Sequence, residues 1–329
     1  MSIDINDFAV DQRAVITAFR EAGSKSFQDA PDVTTARANY EKSCAANGLP
    51  ADEIALVEDV TVAYDEGEFK VRVYDPRPAT ATADPVLVFF HGGGWVVGSL
   101  DTHDTVCRRL ATLTGLPVVA VDYRLGPDTL FPAGHLDCRE AVRWIRDNSQ
   151  ERAWDASRLV TVGDSAGGGL ATVTAFLPEM LVEGTTVVAQ VPLYPMLDQT
   201  DANDNWARVS TGVPLTKATL EWFLDNYVPT ELRGDYRVSP LLLARHAASG
   251  KADAALLRQP PALILTLGHD PLAAEGLEYA NLLAAGGTHV ELVHIPDLAH
   301  GIFTSAAKVA SGERFLERVA EFVLRQLGK

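Results

Sequence analysis

A chain of 329 residues with 47% hydrophobic side chains is long enough for one large α/β domain or for two ordinary domains with separate cores. Its formal charge of −16 repels nucleic-acid phosphates and anionic lipid heads, which excludes nucleic acid as the expected partner and argues against stable membrane association. The longest apolar runs, such as PVLVFF and LPVVAV, fall far short of the roughly 18 residues that would mark a membrane-spanning helix.

Cys44, Cys107 and Cys138 form an odd set without CxxC spacing. They read as buried thiols of a reducing compartment, not as a disulfide frame or a zinc site. The N-terminal stretch carries acidic residues where a secretory signal would carry positive charge, so no export signal and a cytoplasmic location are expected.

Residues 1 to about 48 show no strand pattern, and DFAVDQRAVITAFREAG repeats apolar positions at helical spacing. From Val57 the texture changes to VEDVTVAY and FKVRVYDP across the turn-forming DEGE, which predicts an antiparallel pair. After RPATATADP, strands alternate with helices: PVLVFF, then DTVCRRLATLTG, LPVVAVDY, DCREAVRWIRDN, RLVTVG and AGGGLATVTAFLP. TVVAQVPLYP, PALILTLG, GLEYANLLAAGG, THVELVHIP and ERFLERVAEFVLRQL continue the rhythm. Such repeated units specify an α/β fold with a mostly parallel, doubly wound sheet and helices on both faces. Between Met196 and about Leu256 the rhythm breaks into loop and helix. An insertion there would sit over the C-terminal edge of the strands, where open α/β sheets place ligands, and is a candidate lid.

Two glycine-rich stretches carry the chemistry. VLVFFHGGGWVVGS, residues 86–99, drives a strand into three glycines that could cradle a dinucleotide pyrophosphate or aim bare N–H groups at an oxyanion. Gly92, Gly94 and Gly98 loosely fit the dinucleotide pattern, and Asp122 ends the next strand, about where an acid would meet a ribose. Against that reading, the unit follows a strand pair, no Tyr-x-x-x-Lys pair is present, and the second stretch would have no task. That stretch is Gly163-Asp164-Ser165-Ala166-Gly167, a G-x-S-x-G between a strand and a helix pattern, as a nucleophile elbow requires. Alone, three such positions recur by chance in roughly one chain in ten of this length; together with the preceding HGGG the signal is strong.

A serine nucleophile needs a histidine base and a carboxylate that orients it, in the chain order Ser, acid, His. Of the histidines after Ser165, only His300 lies in a glycine-adjacent loop that follows a strand and leads towards a helix. His294 falls inside that strand and reads as structural, while His269 would compete only if the order failed. Asp270, just past an apolar strand, is the favoured acid, with Asp297 and then Glu275 as rivals.

HGGGW at 91–95, DYRLGPD at 122–128, GDSAGG at 163–168, the Tyr194-Pro195 pair, HDPL at 269–272 and AHGIF at 299–303 together resemble the bacterial hormone-sensitive-lipase-like carboxylesterases. The likeness runs from about residue 57 to the end. It implies an α/β-hydrolase fold divided into an N-terminal helical cap segment (1–50), a core (51–195), a cap insertion (196–256) and the rest of the core (257–329). It further implies Ser165 as nucleophile, Asp270 as acid and His300 as base, with the N–H groups of Gly93, Gly94 and Ala166 as oxyanion hole. DYRLGPD stands where the family has DYRLAPE, and DPLAAEG where it has DPLRDEG, so the contacts made by those Arg, Asp and Glu side chains are not expected here.

The expected reaction is ester hydrolysis through an acyl-enzyme, without cofactor or metal. His91 is expected to bond backbone and hold the glycine loop. Trp95, Tyr194, Trp206, Trp222 and Phe223 are candidate pocket walls that would favour small or short-acyl esters, although each could equally be lid core, and for Trp222 and Phe223, at helical spacing from Leu220, core is the better reading. Neither DTHD nor HLDC supplies a recognisable ligand set. The expected partner is a small ester, with a homodimer left open. The alternative from another class is a ligand-binding protein, like the plant hormone receptors that resemble this family but lack the catalytic histidine.

Overall fold

A computed structural model of the chain describes residues 3–78, 80, 82–200, 206, 207, 209 and 211–329. β1 (Leu56–Tyr64) and β2 (Gly67–Asp75) pair antiparallel, with Tyr64 opposite Gly67, as the two alternating runs predict. β3 (Asp84–Phe90), β4 (Val118–Asp122), β5 (Trp154–Asp164), β6 (Val187–Leu193), β7 (Ala262–His269) and β8 (Val290–Ala299) complete one sheet in the order β1-β2-β4-β3-β5-β6-β7-β8. β2 meets β4 antiparallel; every later pairing is parallel.

The central strands are covered on both faces, which is why they read as unbroken apolar runs. Along β3, Val86, Val88 and Phe90 enter one core while Leu87 and Phe89 enter the other. This is the two-residue period of a strand.

Two helices precede the sheet: α1 (Arg13–Glu21) and α2 (Val33–Asn47). Within it, α3 (Asp104–Thr114), α4 (Ala133–Asp147) and α5 (Ala166–Phe176) follow β3, β4 and β5. α6 (Lys217–Tyr227) and α7 (Pro240–Ala248) lie in the insertion, then come α8 (Ala273–Ala285) and α9 (Ala310–Leu327). Val106 and Leu110 of α3 share a core with Phe315, Leu316 and Val319 of α9. Val142 of α4, Leu170 of α5 and Leu283 of α8 fill the opposite one. The alternating pattern thus becomes the α/β-hydrolase architecture.

α2 is the helix that periodicity does not announce. It buries only Ala36 and Cys44, too few to make an apolar stripe, and its start is fixed by Asp32, whose side chain accepts from the Thr35 N–H at 2.7 Å.

The N-terminal segment and the insertion meet over the C-terminal ends of the strands. Ser26 Oγ donates to the Pro214 carbonyl at 2.6 Å, Arg20 Nε to that of Gly212 at 3.0 Å, and the Phe27 and Phe223 rings lie 5.2 Å apart. Of the insertion, residues 201–205, 208 and 210 lie outside the described residues. All three cysteines are buried free thiols. Among the described residues no helix is long and apolar enough to cross a membrane.

Candidate active site

β5 ends at Asp164 and α5 begins at Ala166, leaving Ser165 alone on the turn with φ 58° and ψ −122°. A positive φ at a non-glycine residue is strained and persists only where the surroundings impose it. Here the Ser165 N–H donates to the Leu193 carbonyl at 2.9 Å, and the Ser165 carbonyl accepts from Gly169 and Met196, each at 3.1 Å. The flanking glycine at 167 is required by space, since a Cβ there would run into the carbonyls of Phe90 and His91. Ser165 thereby sits at the positive end of α5.

Register brings the other two groups together. In the parallel pairing of β7 with β8, His269 stands opposite Ala299, so Asp270 and His300 leave the sheet side by side. His300 Nδ1 lies 2.6 Å from Asp270 Oδ2, and its Nε2 lies 2.8 Å from Ser165 Oγ. Asp270 is buried, and its other oxygen accepts from the Leu272 N–H at 2.9 Å. Below His300 packs the Tyr194 ring, with centroids 4.6 Å apart. Gln12 of the N-terminal segment clamps the preceding residue, accepting from the Ala299 N–H at 2.7 Å and donating to its carbonyl at 3.0 Å.

Three of the alternatives are engaged elsewhere. His294 Nδ1 meets Thr266 Oγ1 at 2.9 Å, and His269 Nε2 donates to the Asp7 carbonyl at 3.1 Å. Glu275 is buried against the start of the insertion, where it accepts from the N–H groups of Leu197 and Asp198 and from Trp206 Nε1. Burial pushes its carboxyl up to about 8, although these donors pull it the other way.

The glycine loop closes the site from the β3 side. Gly93 and Gly94 have φ 122° and 59°, and a Cβ on Gly94 would occupy the Phe223 ring. The N–H groups of Gly93, Gly94 and Ala166 have no acceptor among the described residues. His91 stacks on Tyr123 at 4.3 Å, and its Nδ1 lies 2.8 Å from the Gly92 carbonyl. Burial lowers its pKa to about 3, so the ring is neutral and holds the loop from behind.

A cavity of about 830 Å³ opens above Ser165 and His300. Val15, Ile16 and Phe19 of α1, Tyr40 of α2 and the neighbouring Phe27 supply walls that the sequence does not assign to a pocket. Of the five expected aromatic walls, Phe223 lines this cavity and four do not. Trp95, itself at φ 61°, is turned into the core and stacks on Tyr227 at 5.6 Å. Tyr194 lies beneath His300, and Trp206 is drawn off by Glu275 at 2.7 Å. Trp222 follows α6 round by about 100° relative to Phe223 and ends half-buried, its ring 5.3 Å from that of Phe223.

The departures within DYRLGPD have local explanations, while nothing in the structure explains the alanines of DPLAAEG. Gly126 is packed against the Asn226 carbonyl with no room for a Cβ. Asp128 meets Arg37 of α2 at 2.6 Å, and the same guanidinium donates to the carbonyls of Val96 and Gly126, each at 2.8 Å.

Residues 87–304 match a protein family described by its alpha/beta hydrolase fold. An ethyl acetate hydrolase of Pseudomonas putida is 36% identical over 317 residues, 95% of this chain and 96% of that protein. Carboxylesterase NlhH of Mycobacterium tuberculosis is 40% identical over 254 residues, 77% of each chain. A solved ester hydrolase from the metagenome of Lake Arreo, complexed with a bipyridine phosphonate derivative, superposes with a TM-score of 0.88 at 31% identity, covering 98% of this chain and 100% of that one.

Proposed function

Because the chain belongs to the bacterial hormone-sensitive-lipase-like carboxylesterases of the α/β-hydrolase fold, we propose that it cleaves short-acyl esters through an acyl-enzyme formed on Ser165. That it is a carboxylesterase follows from its relatives; the assignment of roles rests on the contacts of His300, 2.8 Å from Ser165 Oγ and 2.6 Å from Asp270. Ser165 Oγ attacks the ester carbonyl as its proton passes to His300 Nε2. Asp270 holds the Nδ1–H tautomer and stabilises the imidazolium that forms. His300 then gives the proton to the departing alcohol, and water, activated by the same histidine, releases the acid.

In this reading Gly93, Gly94 and Ala166 donate to the tetrahedral oxygen, which is why the loop carries glycines where side chains would intervene. Loss of one such donor typically costs about 3 to 4 kcal/mol. The segments 1–50 and 196–256 act together as the cap. Phe223, seated on Gly94, shortens the space beside the oxyanion loop and favours a short acyl group. The three buried thiols favour a reducing compartment such as the cytoplasm.

The acid-base set is complete at Ser165, Asp270 and His300, which speaks against a ligand receptor that has lost its catalytic histidine. Ser165→Ala in a chromogenic ester assay tests the assignment: turnover should fall by at least 1,000-fold, and unchanged turnover would refute it. With p-nitrophenyl esters, butyrate should be cleaved faster than long-chain homologues; the reverse order would refute the short-acyl preference.

A further inference from the structure

The variable position of the elbow is occupied by a carboxylate that the reaction as described leaves unused. Asp164 is 4% exposed, and burial alone would raise its pKa, but His103 above all, with His300, more than offsets this and holds it below the usual carboxylate range. A buried charge is costly unless its oxygens are engaged. Oδ1 accepts from the Gly92 N–H at 2.9 Å and lies 3.1 Å from His103 Nε2, while Oδ2 accepts from the Tyr194 hydroxyl at 3.4 Å. His103 is buried as well, with Nδ1 2.8 Å from Thr102 Oγ1.

Along the chain Asp164 precedes Ser165, and Gly92 precedes Gly93 and Gly94. One short side chain therefore joins the residue before the attacking oxygen to the residue before two oxyanion donors. An elbow needs glycine two residues before and two after the serine and places no demand on the position between the first glycine and the serine. We infer that Asp164 is a positioning residue that sets the separation between the nucleophile and the oxyanion loop, with His103 bracing its carboxylate from behind; this rests on the roles proposed above. The bridge acts on donors used in the transition state, so its loss lowers kcat and leaves ground-state binding nearly unchanged.

The test compares Asp164→Ala, Asp164→Asn and His103→Phe, with rates normalised to sites titrated by a serine-directed phosphonate. Asp164→Ala should lower kcat at least 30-fold with KM within threefold of the parent. Asp164→Asn keeps an oxygen facing the Gly92 N–H and should restore kcat to within about fivefold. A trifluoromethyl ketone analogue of the ester should lose affinity for Asp164→Ala in proportion to kcat/KM. Should Asp164→Ala not fold, His103→Phe decides: kcat should fall about tenfold at constant KM.

A folded Asp164→Ala enzyme with lowered Tm but parental kcat would overturn the inference. An Asn variant as impaired as Ala would overturn it too, since the charge and not the bridge would then matter. If Ser165→Ala is inactive while Asp164→Ala is fully active, only this inference falls. If Ser165→Ala keeps its turnover, the proposed function itself falls.

Discussion

Gly94 and Phe223 are packed so closely that the glycine cannot gain a side chain without moving the ring. Gly94 combines φ 59° with a Phe223 ring where its Cβ would be, so Gly94→Ala should lower kcat/KM about 100-fold by displacing an oxyanion donor. An alanine variant with unchanged kcat/KM would contradict this. Phe223→Ala should leave the butyrate rate within threefold and raise the relative rate on decanoate about five- to tenfold, read from a chain-length series of p-nitrophenyl esters. At this scale the sequence is most legible where chemistry imposes a backbone shape: HGGG, GDSAG and the glycine after His300 are contiguous demands. Apart from Phe223, the pocket walls were not legible. Trp95 takes its direction from a left-handed φ, and Trp206 takes its place from a buried glutamate 69 residues away in the chain.

Elements differ in the same way. β3 to β7 are evident from apolar runs because both faces of each are buried, and the β7/β8 register that brings Asp270 beside His300 follows once the strands are paired. α2 is different, because its contribution is polar. Arg37 ties it to the carbonyls of Val96 and Gly126 and to Asp128, anchoring one cavity wall to the loop that carries Gly93 and Gly94. Periodicity does not find a helix that buries only Ala36 and Cys44 and is tied down by a guanidinium and a cap. Arg37→Ala should raise KM about three- to tenfold and lower Tm by a few degrees, as expected when carbonyls lose a charged donor. Steady-state kinetics and thermal melts check this; an unchanged KM would mean that α2 is held by other contacts.

For the whole molecule, burial of titratable groups sets the pH range of stability. Burial holds the pKa values of His91 and His135 near 3, so below about 6.5 the unfolded chain gains protons that the native state refuses, and stability falls towards acid. At the acid limit each contributes a loss on the order of 5 kcal/mol. Glu275 works in the opposite direction: with its native pKa raised to about 8, the folded state keeps a proton that the unfolded chain releases near pH 4.5, so stability falls as pH rises through that interval. Thermal melts from pH 4 to 9 should show a maximum near about 6.5, and Glu275→Gln should flatten the alkaline limb. A wild-type Tm that rises steadily from pH 6.5 to 8 would contradict this balance.

The central claim is that an ester's acyl carbon meets Ser165 with His300 as base. Labelling the intact protein with a serine-directed phosphonate and locating the adduct by mass spectrometry tests it most directly. The expected result is one adduct per chain on Ser165, formed in step with loss of esterase activity and absent from His300→Ala on the same timescale. An adduct on another residue, or full activity remaining after Ser165 is modified, would contradict it.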